Sequence, residues 1–151
     1  MSLPQKANLT EEIFAHQPNL LAAVLVQHRL GVSYAKMDIL IDILLVCYRA
    51  MEETGLTWPL ISENDQEHQM TRSTAIIQSF EKLDADSQTQ FTGQYIDEFP
   101  EKELLAFVTN EVRLWLARLD RERNQNEDDK YVMVAAANLV NCIAYASTRS
   151  A

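Results

Sequence analysis

The segment from Met37 to Met51 constrains the fold most, because it is apolar apart from Asp38, Asp42 and Arg49. At 100° per residue these three charged side chains fall on one narrow stripe, which leaves an apolar arc of roughly 240°. A helix that is apolar over so wide an arc is covered on most of its sides. The segment therefore predicts a central helix with other helices packed around it.

Glycine (3) and proline (4) are scarce among the 151 residues, and this scarcity argues against a turn-rich β fold. Capping residues, glycines and prolines predict a short helix near 11–14, further helices at about 18–30, 34–54, 62–83, 84–99 and 130–146, and one that starts at Pro100. Residues 124–129 form a polar loop, and residues 1–8 are expected to be disordered or to come partly from an expression vector. We therefore expect an all-α single domain over 1–151, a bundle of five to six mostly antiparallel helices.

The chain is acidic, with 22 Asp and Glu against 13 Lys and Arg and a formal net charge of −9. Such a surface repels phosphate backbones and anionic lipid headgroups, so we expect neither nucleic acid nor membrane as a partner. No stretch reaches the ~18–20 apolar residues of a membrane span, and the N-terminus lacks a signal-peptide pattern. The sequence predicts a cytoplasmic protein in which Cys47 and Cys142 are buried thiols.

Two carboxylates of the central segment, Asp38 and Asp42, are four residues apart and face the same way on a helix. In the favoured interpretation they mark its solvent edge, where Arg49 pairs with Glu53. The alternative is an all-α metal-dependent enzyme in which these two aspartates bind a cation together with Glu63, Glu67 or His68. The Glu-x-x-His pairs of di-iron bundles do not occur in the sequence.

Motifs for catalysis or for cofactor binding are missing from the sequence. The three histidines form no zinc-binding spacing, and there is no nucleophile elbow, phosphate-binding loop or dinucleotide fingerprint. The sequence therefore favours a protein that is not an enzyme and that carries no cofactor or metal.

The central segment has two apolar flanks, one at Met37, Ile41, Leu44 and Tyr48 and another at Ile39, Ile43, Val46 and Ala50. If one flank covers the core, a second copy of the chain can cover the other, since two-fold dimers are the commonest soluble oligomers. We assign partner binding to the first flank and to Trp58, an aromatic residue of the kind found at interface hot spots. The favoured function is a protein-interaction or regulatory module that acts as a homodimer, with another protein as a further candidate partner.

Two amides, Asn138 and Asn141, lie on one face of the last helix. Buried amides must find hydrogen-bond partners, so the favoured interpretation is that they fix the register of the bundle or of a dimer. The alternative is that they contact a ligand in an interhelical pocket, which would make the chain a small-molecule-binding bundle.

Overall fold

The computed structural model describes residues 1–55 and 58–149. The described residues form α1 (Leu3–His16), α2 (Pro18–Leu25), a 3₁₀ helix (Val26–Leu30), α3 (Tyr34–Glu53), α4 (Glu63–Glu81), α5 (Ala85–Glu98), α6 (Lys102–Glu122) and α7 (Asp129–Arg149). The predicted all-α class is confirmed, but five to six helices is too few, since these ranges hold seven α-helices. Residues 56 and 57, and residues 150 and 151 of the domain predicted over 1–151, lie outside the described part of the chain.

Helix α1 corrects the expectation that residues 1–8 are disordered. The backbone N–H of Gln5 donates to Ser2 Oγ at 3.3 Å, and the backbone N–H of Ser2 donates to Gln5 Oε1 at 2.7 Å, so both ends of a capping box are present. Leu9 and Ile13 are buried where α1 contacts α2 and α3. The cap starts the helix at Leu3, and the apolar contacts hold it on the bundle.

The predicted turn at Gly31 is present, although the preceding helix changes type before it. The chain continues from α2 into the 3₁₀ helix, a form that is frequent at helix ends, and Gly31 closes it at a φ of 107°. Ser33 then caps α3, because its Oγ accepts a hydrogen bond from the Lys36 backbone N–H at 3.3 Å.

Helix α3 is the central helix that the apolar segment predicts. It contacts α1, α2, α6 and α7. Its buried residues come from both flanks and are Lys36, Met37, Leu40, Ile43, Leu44, Leu45, Cys47, Tyr48 and Met51. Burial raises the pKa of the Cys47 thiol to about 12. Most of the wide apolar arc is therefore covered within a single chain, although Val46 of the second flank is 37% exposed.

Helices α4 and α5 form an outer layer and contribute no buried residue to the core. Helix α4 packs on α7, and α5 contacts α4. A capping box between Ser62 and Asp65 starts α4, although its first two turns carry no apolar side chain. None of the helices in the described ranges has the length and apolar character needed to cross a membrane.

The loop between α6 and α7 agrees with the predicted polar segment. Arg123 ends α6 in the left-handed conformation, and α7 begins at Asp129. The Asp129 carboxylate accepts a hydrogen bond from the Asn126 backbone N–H at 3.0 Å and forms a buried ion pair with Lys36 of α3. This pair fixes the start of α7 against the central helix.

Candidate functional site

Side-chain amides attach the beginning of α4 to α2. The Gln17 side chain donates to the Pro59 carbonyl at 3.0 Å and accepts from the Ile61 backbone N–H at 2.9 Å. Asn19 donates to the Ile61 carbonyl at 3.0 Å, and Gln66 of α4 donates to the Asn19 carbonyl at 3.0 Å. These bonds hold the polar first turns of α4 beside α2, where apolar contacts are few.

A cleft of about 370 Å³ opens between α2, the 3₁₀ helix, α4 and α7. Its apolar floor is made by the buried side chains of Leu20, Val24, Leu139 and Cys142. Its polar walls are made by Gln27, Gln66, Asn138, Glu63 and Glu67. An apolar floor with a few convergent polar groups, in this range of volume, is typical of small-molecule sites.

The three amides in the cleft wall are all oriented by backbone carbonyls. Gln27 Nε2 donates to the Ala23 carbonyl at 3.3 Å, and Gln66 Nε2 donates to the Asn19 carbonyl at 3.0 Å. Asn138 Nδ2 donates to the Gln66 carbonyl at 3.4 Å. Because a carbonyl oxygen cannot face another carbonyl oxygen favourably, each contact fixes which end of the amide is the nitrogen. The oxygen ends of the amides are left to face other partners.

The oxygen of Asn138 is the most informative atom of the cleft. Asn138 Oδ1 is buried from solvent, and no donor in the described ranges forms a hydrogen bond with it. A buried acceptor without a partner costs about 1–3 kcal/mol. Native proteins contain few such groups, and those they keep often belong to functional sites.

Asn141, the second amide predicted to bind a ligand, has a different environment. Its Nδ2 donates to Ser73 Oγ at 2.9 Å, and its Oδ1 accepts from the Tyr95 hydroxyl at 3.4 Å. It lines a separate groove of about 270 Å³ between α4, α5 and α7. The residues of α4 that line the cleft and those that line this groove come from different halves of the helix. Both halves of α4 therefore contact α7, each beside a different cavity, and the arrangement does not fully match the mostly antiparallel bundle that was predicted.

The residues predicted to bind a partner lie in or against the core of the single chain, which differs from the exposed surface that the prediction requires. Met37, Leu44 and Tyr48 are at most 4% exposed. Ile41 and Trp58 are half-buried against the same core, and the Trp58 ring lies 5.8 Å from that of Tyr48. The first two helices and Trp58 cover the flank that the sequence argument reserved for a second copy.

The two aspartates of the central stripe are exposed, as the favoured interpretation expects. Asp42 Oδ1 lies 2.8 Å from Lys6 Nζ, and the contact raises the pKa of the Lys6 ammonium. Arg49 pairs with Glu53 at 3.6 Å, also as expected. No three His, Cys, Asp or Glu side chains gather into a metal site anywhere in the described ranges. Of the ligands in the metal hypothesis, Glu63 and Glu67 line the cleft instead.

A second polar cluster joins α1 to α3. The Tyr48 hydroxyl lies 3.3 Å from His16 Nδ1. Desolvation, followed by the hydrogen bond and charge of Glu52, raises the pKa of the Glu12 carboxyl above its ordinary value. Burial and the nearby Glu12 and Glu52 also raise the pKa of Tyr48. These groups are already paired with one another, so the cluster serves to attach α1.

Sequence reasoning did not single out Gln27 and Gln66 as site residues. A usable signal was present, because Glu63, Gln66 and Glu67 occupy positions i, i+3 and i+4 and share one face of α4. When a helix packs on its neighbours with a polar face of this kind turned toward them, the pattern predicts a cavity with polar walls.

Comparisons of the chain with protein-family models, with curated proteins and with solved structures give no match. The function proposed for the cleft therefore depends on its geometry and chemistry.

Proposed function

We propose that this chain is a small-molecule-binding helical bundle whose ligand occupies the cleft between α2, α4 and α7. The observation that supports the proposal is a cleft of about 370 Å³ lined by Asn138, whose Oδ1 is buried and accepts no hydrogen bond from the described residues. A ligand with one hydrogen-bond donor would satisfy this oxygen after the Asn138 side chain rotates toward the cleft, while its apolar part covers Leu20, Val24 and Leu139.

Binding would have a structural effect because the ligand contacts both α4 and α7. Helix α4 has no buried residue, so few apolar contacts fix its position. A ligand that binds only while α4 packs on α7 stabilises that packing by mass action. We therefore propose a regulatory binding protein in which the ligand fixes α4 on the bundle, and we assign it no reaction.

The proposal is tested by screening about a thousand soluble fragments with two-dimensional ¹H–¹⁵N NMR, at about 1 mM each to detect weak binding. We expect binders that shift the side-chain amide signals of Gln27, Gln66 and Asn138 together. An empty screen, or binders that shift only signals outside the cleft, would overturn the proposal.

Two alanines of α7 provide matched variants for this screen. Ala135 lines the cleft, whereas Ala137 lines the neighbouring groove. We expect Ala135→Leu to fill the cleft and abolish binding, and Ala137→Leu to leave binding unchanged. Asn138→Leu removes the acceptor without adding much volume and should weaken binding in a protein that stays folded, as judged by circular dichroism. Equal binding by wild type and Ala135→Leu would contradict the assignment.

A second candidate function is self-association through the first turns of α7. Tyr131, Met133 and Val134 are 49%, 41% and 48% exposed there, although they are apolar. This observation supports a homodimer whose interface is on α7 rather than on α3. Light scattering coupled to size exclusion tests it. A mass near 17.3 kDa at micromolar concentration, which is that of the monomer, would contradict the homodimer. If the wild type is a dimer, Val134→Glu should give the monomer mass.

The cytoplasm is the compartment that we propose. The acidic composition and the burial of Cys47 and Cys142 as thiols without a disulfide between them support it. Recovery of the protein only in a membrane or extracellular fraction of its source cells would contradict this assignment.

A further inference from the structure

We infer that the ligand of the cleft is an organic cation, an ammonium group carried on a compact apolar body. The inference rests on the proposed function, because it assigns a chemical class to the same cleft. Three features of the cleft support it: the orientation of its amides, the sign of its charges and the burial of one acceptor.

The amides offer oxygen rather than nitrogen to a ligand. The side-chain nitrogens of Gln27, Gln66 and Asn138 each donate to a backbone carbonyl. The carbonyl oxygens are the ends left available, and Asn138 Oδ1 is buried without a donor. The polar wall is therefore rich in acceptors, and it is complementary to a group that carries several N–H bonds.

The charges at the cleft are negative. Glu63 and Glu67 line it from one face of α4, and no Lys or Arg is among the described residues that line it. Like charges four residues apart on a helix destabilise it unless a cation lies near both. The helix dipole explains an acidic residue in the first turn, where Glu63 lies, but the effect fades beyond that turn and does not explain Glu67.

An ammonium group fits this arrangement better than the other common donors. It carries three N–H bonds and a positive charge, so it can donate to Asn138 Oδ1 once that side chain rotates toward the cleft, and it can remain close to the two carboxylates. A hydroxyl group has one donor and no charge, and a carboxylate is repelled. A bare metal ion would make no use of the apolar floor formed by Leu20, Val24 and Leu139.

The test compares three series of probes that differ only in the head group. The series are benzylamine, benzyl alcohol and benzoate; tryptamine, tryptophol and indole-3-acetate; and hexylamine, hexanol and hexanoate. Affinity is measured at low ionic strength from the shifts of the Gln27, Gln66 and Asn138 side-chain amides. In any series that binds, we expect the amine to bind at least about tenfold more tightly than the alcohol, and the acid not to bind.

Charge-neutral variants show whether the preference comes from the rim of the cleft. In the double variant Glu63→Gln and Glu67→Gln the ratio of amine to alcohol affinity should fall to about threefold or less, and the alcohol should bind as before. The double variant Asp38→Asn and Asp42→Asn is the matched control. It removes two exposed carboxylates at the same spacing from another helix and should leave the ratio unchanged.

The outcomes separate this inference from the function on which it rests. Alcohols or acids that bind as tightly as amines would overturn the organic cation and leave the small-molecule cleft intact. The same holds if the fragment screen finds cleft binders and no amine of the three series binds. An empty fragment screen would overturn both. A preference for amines that persists in the glutamine variant would also contradict the role given to Glu63 and Glu67.

Discussion

Helices α3 and α4 are of similar length, yet the bundle holds them in opposite ways. Nine residues of α3 are buried, and the helix packs against four other α-helices and the 3₁₀ helix. No residue of α4 is buried. Gln66 and Arg72 donate hydrogen bonds to its neighbours, and Ser73 accepts one from Asn141 of α7. Apolar burial holds the first helix, whereas a few directional contacts hold the second.

The comparison indicates which part of the molecule can respond to a ligand. Displacing α3 would expose apolar surface at about 25 cal/mol per Å², so it moves only when the protein unfolds. Displacing α4 breaks a few hydrogen bonds, each with a net value of about 0.5–1.5 kcal/mol. The cleft lies under the helix that is easier to displace.

Hydrogen exchange gives the most direct test of this difference. We expect amides of α3 to exchange only through global unfolding, and amides of α4 through local opening that is at least about 100-fold more frequent. Native-state exchange measured by NMR at increasing urea concentration separates the two routes. Equal protection of the two helices would show that α4 belongs to the core, and the comparison would fail.

The hydrogen bonds of Asn141 should account for much of the attachment of α4. Asn141→Leu leaves the hydroxyls of Ser73 and Tyr95 without their partner, so we expect a loss of about 2 kcal/mol in the free energy of unfolding. Chemical denaturation measures it. The double variant Ser73→Ala and Tyr95→Phe is the control, because in that background the change at Asn141 should cost much less.

Asn138 should behave in the opposite way, although it lies only three residues earlier. Asn138→Leu removes a buried acceptor that has no partner, and the bond that it breaks is long at 3.4 Å. We expect the free energy of unfolding to change by less than about 0.5 kcal/mol or to increase. A loss above about 1.5 kcal/mol in the same denaturation experiment would show that Oδ1 has a partner in solution, and the ligand proposal would lose its main support.

The exposed aspartates of α3 should give the smallest change in the free energy of unfolding among these variants. Asp38→Ala and Asp42→Ala should each change the free energy of unfolding by less than about 0.5 kcal/mol, because exposed ion pairs such as Lys6–Asp42 contribute little. A loss above about 2 kcal/mol for either one would mean that these carboxylates belong to a buried network.

Much of the fold follows from local signals in the sequence. The apolar segment around Leu44 predicted the central helix, and Gly31 followed by Ser33 predicted the turn before it. Five to six helices was an underestimate, although the capping signals marked seven helical segments. The start of α1 was missed because residues 1–8 were set aside, where Ser2 and Gln5 form a capping box. Periodicity shows that a helix has two apolar flanks, but it does not show which neighbour covers each flank.

The site was accessible to sequence reasoning only in part. Asn138 was identified because an amide among small apolar residues must find a partner, but Asn141 seemed equivalent to it. The difference between them depends on which half of α4 lies beside each position and on Tyr95 of α5, which reaches Asn141, and this is a property of tertiary structure. Glu63 and Glu67 appeared only in the alternative hypothesis of a cation site with Asp38 and Asp42, because sequence distance does not reveal which helix faces share a cavity.

Gln17, which lies outside the cleft, positions the segment that leads into α4 and so influences the shape of the cleft. The Gln17 side-chain amide donates to the Pro59 carbonyl and accepts from the Ile61 backbone N–H. The two bonds reach backbone groups two residues apart, as the bonds from a neighbouring β-strand do. Gln17 does not line the cleft, yet it fixes the path of the chain into α4 and so the width of the opening. Gln17→Glu keeps the shape of the side chain but replaces the donor with a charge that faces the Pro59 carbonyl. A change at this position would alter ligand affinity through the backbone alone, without contact between residue 17 and the ligand.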